Sequence, residues 1–71
     1  MFDKNKFKGK IAEKGLNIGK VASLLGINEA TLHRKINGQS DFNRSEIQML
    51  REILDLDIEA AEDIFFAQKL A

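Results

Sequence analysis

The chain has 71 residues, a formal net charge of zero, and neither cysteine nor proline. Its length predicts one small domain, and the absence of cysteine excludes disulfides, thiolate metal sites and a cysteine nucleophile. No apolar run approaches the roughly 18 residues that a membrane span needs, and no signal-peptide pattern is present, so we expect a cytoplasmic protein.

The same pattern marks the start of each of five predicted helices. An apolar residue precedes an Asn or Asp, and a second apolar residue follows four positions after it. The polar side chain can accept hydrogen bonds from the free N–H groups of a first helical turn, and the apolar pair can close over that turn. Glycine follows the predicted ends of the first three helices, where it suits the position after a helix. We therefore predict an all-α fold with helices near residues 3–14, 17–25, 28–37, 43–54 and 57–68.

Apolar residues at helical spacing give a predicted core. Its members are Phe7, Ile11, Val21, Ala22, Leu25, Ile27, Leu32, Ile36, Phe42, Ile47, Leu50, Ile53, Leu54, Ile58 and Phe65. Phe66 and Leu70 are left over. Either they close the bottom of the core, or they form an exposed apolar patch for a second subunit, which makes them the dimer candidates.

Residues 17–37 are predicted to form two short helices joined by a tight turn at Gly26. The small Ala22 allows the two helices to cross closely. Gly26 suits a left-handed turn conformation, which costs a residue with a Cβ roughly 1–2 kcal/mol. This pattern is typical of a helix-turn-helix, whose second helix lies in the major groove of DNA.

The same stretch resembles the phage Cro and repressor-like helix-turn-helix family. The segments that carry the resemblance are Leu16–Ala22, Gly26–Asn28, Thr31–Leu32 and Asn37–Gly38, and the continuations Ser40–Ile47 and Ile64–Phe66 are similar to small phage regulators of Gram-positive bacteria. The resemblance covers about residues 7–66. It implies a five-helix lambda-repressor-like domain that regulates transcription. The family often has a phosphate-contacting Gln where this chain has Ile18, so one family contact is missing.

The outer face of the helix near residues 28–37 is the predicted base-reading surface. Its members are Asn28, Glu29, Ala30, His33 and Arg34. The resemblance implies base contacts at the positions of Asn28, Glu29, Ala30 and Arg34. The Arg34 guanidinium can bond guanine O6 and N7 together, or it contacts only phosphate. Glu29 can accept from a cytosine amino group, or it only complements the helix dipole.

Two other members of this face have different chemistry. Ala30 can contact a thymine methyl group. His33 is the single histidine, and no second ligand lies at metal spacing, so we predict no metal site. A surface histidine beside phosphate is the favoured interpretation, in which its charge makes binding pH-dependent.

Phosphate contacts are predicted at the edges of the two-helix unit. Asn17 caps the first of its helices and places that helix's N–H groups beside the DNA backbone, while the small Gly19 permits close approach. The complete set is Asn17, Gly19, Lys20, Thr31, Lys35, Asn37, Gln39, Ser40, Asn43 and Arg44.

The charges divide unevenly along the chain. Residues 1–45 hold nine Lys or Arg and four Asp or Glu, whereas residues 46–71 hold two and seven, giving net charges of +5 and −5. Either the two halves are differently solvated faces, or the basic half meets phosphates and the acidic half faces away.

The sequence gives no support for a catalytic function. There is no plausible Ser/His/Asp set and no phosphate-binding glycine loop, and the acids near residues 55–63 lack the spacing of a calcium loop. We therefore expect no catalysis, no cofactor and no small-molecule substrate.

Two functions remain. The first is a sequence-specific DNA-binding transcriptional regulator that acts on a pseudo-palindromic operator as a homodimer, at least when bound to DNA. The second is a helix-turn-helix-shaped interaction module, such as an antirepressor or antitoxin, that binds another regulator through its acidic C-terminal half. Steep salt dependence of DNA affinity distinguishes the first from the second.

Overall fold

The computed structural model describes residues 1–67. Its helices are α1 (Lys4–Glu13), α2 (Ile18–Leu25), α3 (Glu29–Ile36), α4 (Arg44–Ile53) and α5 (Ile58–Phe65). Since these residues contain no β-strand, the predicted all-α, five-helix fold is confirmed. The predicted ranges are wider because they include the capping residues, and α5 ends three residues before the predicted limit.

Every helix begins at its predicted cap, namely Asp3, Asn17, Asn28, Asn43 or Asp57. In each case the cap side chain accepts a hydrogen bond from the N–H three residues later. The start of α4 has a full capping box: Glu46 N–H donates to Asn43 Oδ1 at 2.8 Å, and Asn43 N–H donates to Glu46 Oε1 at 2.9 Å. These caps each stabilise a helix by about 1 kcal/mol, which matters in a domain of this size.

The ends of α2 and α4 have the same hydrogen bonding but different residues. After α2, Gly26 has a φ of 77° and the next N–H, from Ile27, donates to Ala22 O at 3.0 Å. After α4, Asp55 takes the equivalent left-handed conformation with a φ of 53°. The fourth helix therefore lacks the glycine that follows each of the first three helices. Because a residue with a Cβ is strained in the left-handed conformation, Asp55 is less favourable there than glycine would be.

The core lies where α2 packs on α3 and α4 and where α1 packs on α5. Its most deeply buried side chains are Phe7, Val21, Leu32, Leu50 and Leu54. Four phenylalanines, at positions 2, 7, 42 and 65, form one cluster with ring centroids 5.1–6.2 Å apart. The N-terminal residues close this cluster because Asp3 N–H donates to Ile64 O at 2.6 Å.

Most of the predicted core is confirmed, and the errors concern α5 and the loop that precedes it. The prediction that Ile58 is buried is wrong, since 66% of its surface is exposed. Three residues absent from the predicted set are buried, namely Leu56, Ala61 and Ile64. The apolar residues of α5 fit two inward faces, and contact with α1 selects the one that leaves Ile58 outside. Four further members are only half-buried against the core: Ile27, Phe42, Ile47 and Ile53.

Only one of the two dimer candidates lies among the described residues. Phe66 is 60% exposed, so it does not close the core. Leu70 lies outside the described residues. Among the described helices, none has both the length and the apolar character required to span a membrane.

Candidate nucleic-acid interface

Helix α3 presents a polar face to solvent and an apolar face to the core. Leu32 and Ile36 are buried. The predicted base-reading residues are all exposed, namely Asn28, Glu29, Ala30, His33 and Arg34. The Asn28 side chain is partly engaged, because its Oδ1 accepts from Thr31 N–H at 2.7 Å. Its amide NH₂ group has two further donors that point away from this capping bond.

The first turns of α2 and α3 meet at Glu29. A Cβ built on Gly19 would lie 2.8 Å from Glu29 Oε1 and 3.4 Å from Asn17 Oδ1, so the carboxylate rests over the glycine of α2. The other oxygen, Glu29 Oε2, lies 3.7 Å from His33 Nε2 one turn along α3. Glu29 therefore links the start of α2 to the middle of the exposed α3 face.

Arg34 is held by a neighbour on its own helix. Its Nη2 donates to Thr31 Oγ1 at 3.1 Å, which orients the guanidinium along the exposed face. Because a guanidinium carries five donors, this bond leaves four for an external acceptor. An Arg fixed in this way loses less conformational entropy when it makes a two-point contact.

The start of α2 offers backbone donors at the edge of the same surface. Asn17 Oδ1 accepts from Lys20 N–H at 2.8 Å, and both residues are exposed. The N–H groups of Ile18 and Gly19 have no intrahelical acceptor, because they belong to the first turn. This end of α2 therefore combines free N–H groups, the positive end of a helix dipole and the Lys20 ammonium.

The remaining phosphate candidates are Thr31, within α3, and residues from the end of α3 to the start of α4. Asn37, Gln39, Ser40, Asn43 and Arg44 are exposed, and Thr31 is half-buried. Gln39 N–H donates to Arg34 O at 2.9 Å, which folds the loop back against the end of α3.

Lys35 is the exception among the phosphate candidates. Its Nζ lies 3.1 Å from Glu46 Oε1, donates to Asp41 O at 2.9 Å and stands 5.9 Å from the centre of the Phe42 ring. The Lys35 and Glu46 side chains are only 13% and 12% exposed. The ammonium is thus occupied within the protein, and we leave Lys35 out of the interface. Sequence reasoning missed Glu46 as its partner.

No group of three or more His, Cys, Asp or Glu side chains that could hold a metal occurs within residues 1–67. The exposed α3 face presents hydrogen-bond donors, hydrogen-bond acceptors and the Arg34 guanidinium. Such a surface is suited to recognition of a polar partner by contact.

A family match covers nearly the whole chain, over residues 1–68. The chain belongs to the DUF739 family. The description of that family is "protein of unknown function". No curated protein and no solved structure matches the chain.

Proposed function

We propose that this protein is a sequence-specific DNA-binding transcriptional regulator of the Cro or small repressor type, with α3 lying in the major groove. The observation that carries the proposal is the division of α3 into two faces. Ala30, His33 and Arg34 are exposed on the side of α3 away from the core, Asn28 and Glu29 are exposed at its start, and Leu32 and Ile36 anchor the inner side in the core. A two-helix unit that presents its second helix in this way fits the major groove.

Within this proposal Arg34 is the principal base-reading residue. The Thr31 hydroxyl already orients its guanidinium, and guanine offers two acceptors at matching spacing. Glu29 and His33 lie beside each other on the same face and would read or exclude a neighbouring base. The side chain of Ala30 is small enough to meet a thymine methyl group.

Phosphate binding would hold the protein in register on the duplex. The start of α2 supplies N–H groups and the Lys20 ammonium, and the loop after α3 supplies Gln39, Ser40, Asn43 and Arg44. The division of charge supports this orientation, since residues 1–45 carry a net +5 and the acidic residues are concentrated in the later helices. A pseudo-palindromic operator would bind two copies with half-sites one helical turn apart.

Selection of bound sequences from a pool of random duplexes tests this function. A regulator of this type would enrich one short motif, and Arg34→Ala would abolish the preference for guanine at one position of it. Enrichment of no motif by the parent chain would contradict the proposal.

A second function is favoured by the exposed side of α5. Ile58 and Phe66 are 66% and 60% exposed there, with Glu59, Glu62 and Asp63 between them. An interaction module that binds another regulator would use such an apolar and acidic surface. Little DNA affinity together with a stoichiometric complex with a regulator would favour this function over the first.

A further inference from the structure

The Glu29 carboxylate lies at the starts of two helices at once. Glu29 belongs to the first turn of α3, and its Oε1 atom would lie 2.8 Å from a Cβ built on Gly19 in the first turn of α2. Since the Cα–Cβ bonds of a helix tilt toward its N-terminus, this oxygen lies on the N-terminal side of Gly19. The positive ends of both helix dipoles therefore favour an ionised carboxylate in this position.

Gly19 is the residue that makes room for this carboxylate. A distance of 2.8 Å is shorter than the contacts that a real Cβ makes, so a side chain at this position would push Glu29 away from α2. The backbone itself does not require glycine here, because the positive φ angles among the glycines occur at Gly15, Gly26 and Gly38. Glycine is less favourable than alanine within a helix. Space for the Glu29 carboxylate therefore accounts for Gly19.

The carboxylate lies in the region where the proposed function places a DNA phosphate. The free N–H groups in the first turn of α2 attract an anion, whether it is a carboxylate or a phosphate. A phosphate that approaches them meets the negative charge of Glu29 at short range, and the two anions repel each other. Glu29 must therefore move away from α2 before DNA can contact the start of that helix.

The exposed side of α3 gives the Glu29 side chain a place to move. Its second oxygen, Oε2, already lies 3.7 Å from His33 Nε2, and the Glu29 side chain is 60% exposed. Rotation of this side chain therefore requires no change in the core. In the major groove, a cytosine amino group can donate a hydrogen bond to a carboxylate. Cytosine would thus compensate for the lost contact with α2, whereas a base without such a donor would not.

We propose that Glu29 determines specificity by competing with a DNA phosphate for the start of α2. On a random sequence the carboxylate has no new partner, so it weakens phosphate binding at α2. At a cytosine in the correct position the carboxylate turns into the groove, and the phosphate takes its place. This inference rests on the proposed function. It deepens that function, because it gives Glu29 an unfavourable effect on non-specific binding in addition to base reading.

NMR of the protein without DNA tests the contact itself. During an acid titration, the amide signal of Gly19 should shift as Glu29 becomes protonated, and Glu29→Gln should remove this shift. Glu62→Gln is the matched control, because it makes the same change at an exposed position of α5, a helix that packs on α1. This control should leave the titration of Gly19 unchanged. Identical titration of Gly19 in the parent and in Glu29→Gln would overturn the inference, even for a protein that binds DNA.

Fluorescence anisotropy at low salt with a random-sequence duplex tests the competition. Glu29→Gln should bind this duplex about fivefold more tightly, the size of one charge–charge repulsion at about 4 Å in water, while Glu62→Gln should bind like the parent. Gly19→Ala keeps every charge but displaces the carboxylate, so it should also tighten binding, and it should add nothing to Glu29→Gln. Weaker binding by Gly19→Ala would show that the glycine instead admits the phosphate, which would overturn the inference.

The preference for a specific sequence gives a further measurement. The ratio of affinities for the motif enriched from random duplexes and for the random-sequence duplex should fall in Glu29→Gln, because only random-duplex binding becomes tighter. An unchanged ratio, or equal random-duplex affinities of Glu29→Gln and Glu62→Gln, would overturn the inference and leave the proposed function in place. A parent chain that binds neither duplex would contradict the proposed function and the competition with it, while the Gly19 titration would still report the contact.

Discussion

The Lys35 ammonium lies 3.1 Å from Glu46 Oε1 and joins the last turn of α3 to the first turn of α4. The same carboxylate oxygen accepts from Asn43 N–H in the capping box, so one acid both caps α4 and holds α3. Because the pair is mostly covered, solvent screens it less than a surface ion pair. It therefore ties the end of α3 to the start of α4.

Loss of this pair should weaken folding without removing a phosphate contact. We expect Lys35→Met to lower the free energy of unfolding by about 1.5–3 kcal/mol, the range for hydrogen bonds to charged groups. Glu46→Gln is the matched variant, since glutamine preserves the capping box but removes the charge. If Lys35→Met instead leaves stability unchanged and flattens the salt dependence of DNA binding by one phosphate, the ammonium points to DNA.

The anchor of α3 is the buried Leu32 side chain. Leu32→Ala should cost about 2–5 kcal/mol, because it leaves a cavity in the core. Leu24→Ala makes the same chemical change at a leucine that is 44% exposed on α2 and should cost less than about 1 kcal/mol. Urea denaturation compares the two variants, and similar losses would show that the assigned burial of α3 is incorrect.

Replacing Asp55 with glycine should stabilise the folded protein. Since its φ of 53° strains a residue with a side chain, Asp55→Gly should raise the free energy of unfolding by about 1 kcal/mol. Its ion pair with Lys14, at 3.5 Å, is too exposed to offset this gain. Asp55→Ala loses the same charge without relieving the strain, so an equal thermal midpoint for the two variants would contradict the explanation.

The contact between Glu13 and Lys10 predicts that the stability of the fold depends on pH. Its carboxylate lies 3.0 Å from the Lys10 ammonium, and this hydrogen bond holds the pKa of Glu13 below its ordinary value. A lowered folded-state pKa stabilises the fold above the unfolded pKa, and this contribution disappears as the pH falls through the folded value. Carbon-detected NMR titration should show a lower pKa of Glu13 in the parent than in Lys10→Met. Identical titration in both would exclude the Lys10 contact.

The sequence predicted the helices well because their signals are local. Caps and glycine stops act within one turn, so Asn28 and Gly26 mark boundaries without reference to the rest of the chain. The inward face of α5 depends instead on contact with α1, which no local spacing encodes, and so Ile58 was misplaced. The partner of Lys35 was missed for the same reason, since Glu46 becomes its neighbour only through folding.

The position of the candidate interface was easier to predict than its chemistry. Leu32 and Ile36 define the inner face of α3 by their spacing, and the outer face follows from it. The contact between Glu29 and Gly19 required the crossing of two helices, and the sequence alone does not specify that geometry.

The central claim is that the exposed face of α3 and the start of α2 bind duplex DNA. Fluorescence anisotropy with a short labelled duplex over a salt series tests it most directly, using the parent, Arg34→Ala, Lys20→Ala and the α1 control Lys8→Ala. We predict binding at low salt, an affinity that falls steeply with salt, weaker binding by the first two variants and near-parental binding by the control. No binding by the parent at low salt, or equal binding by all four proteins, would contradict the account.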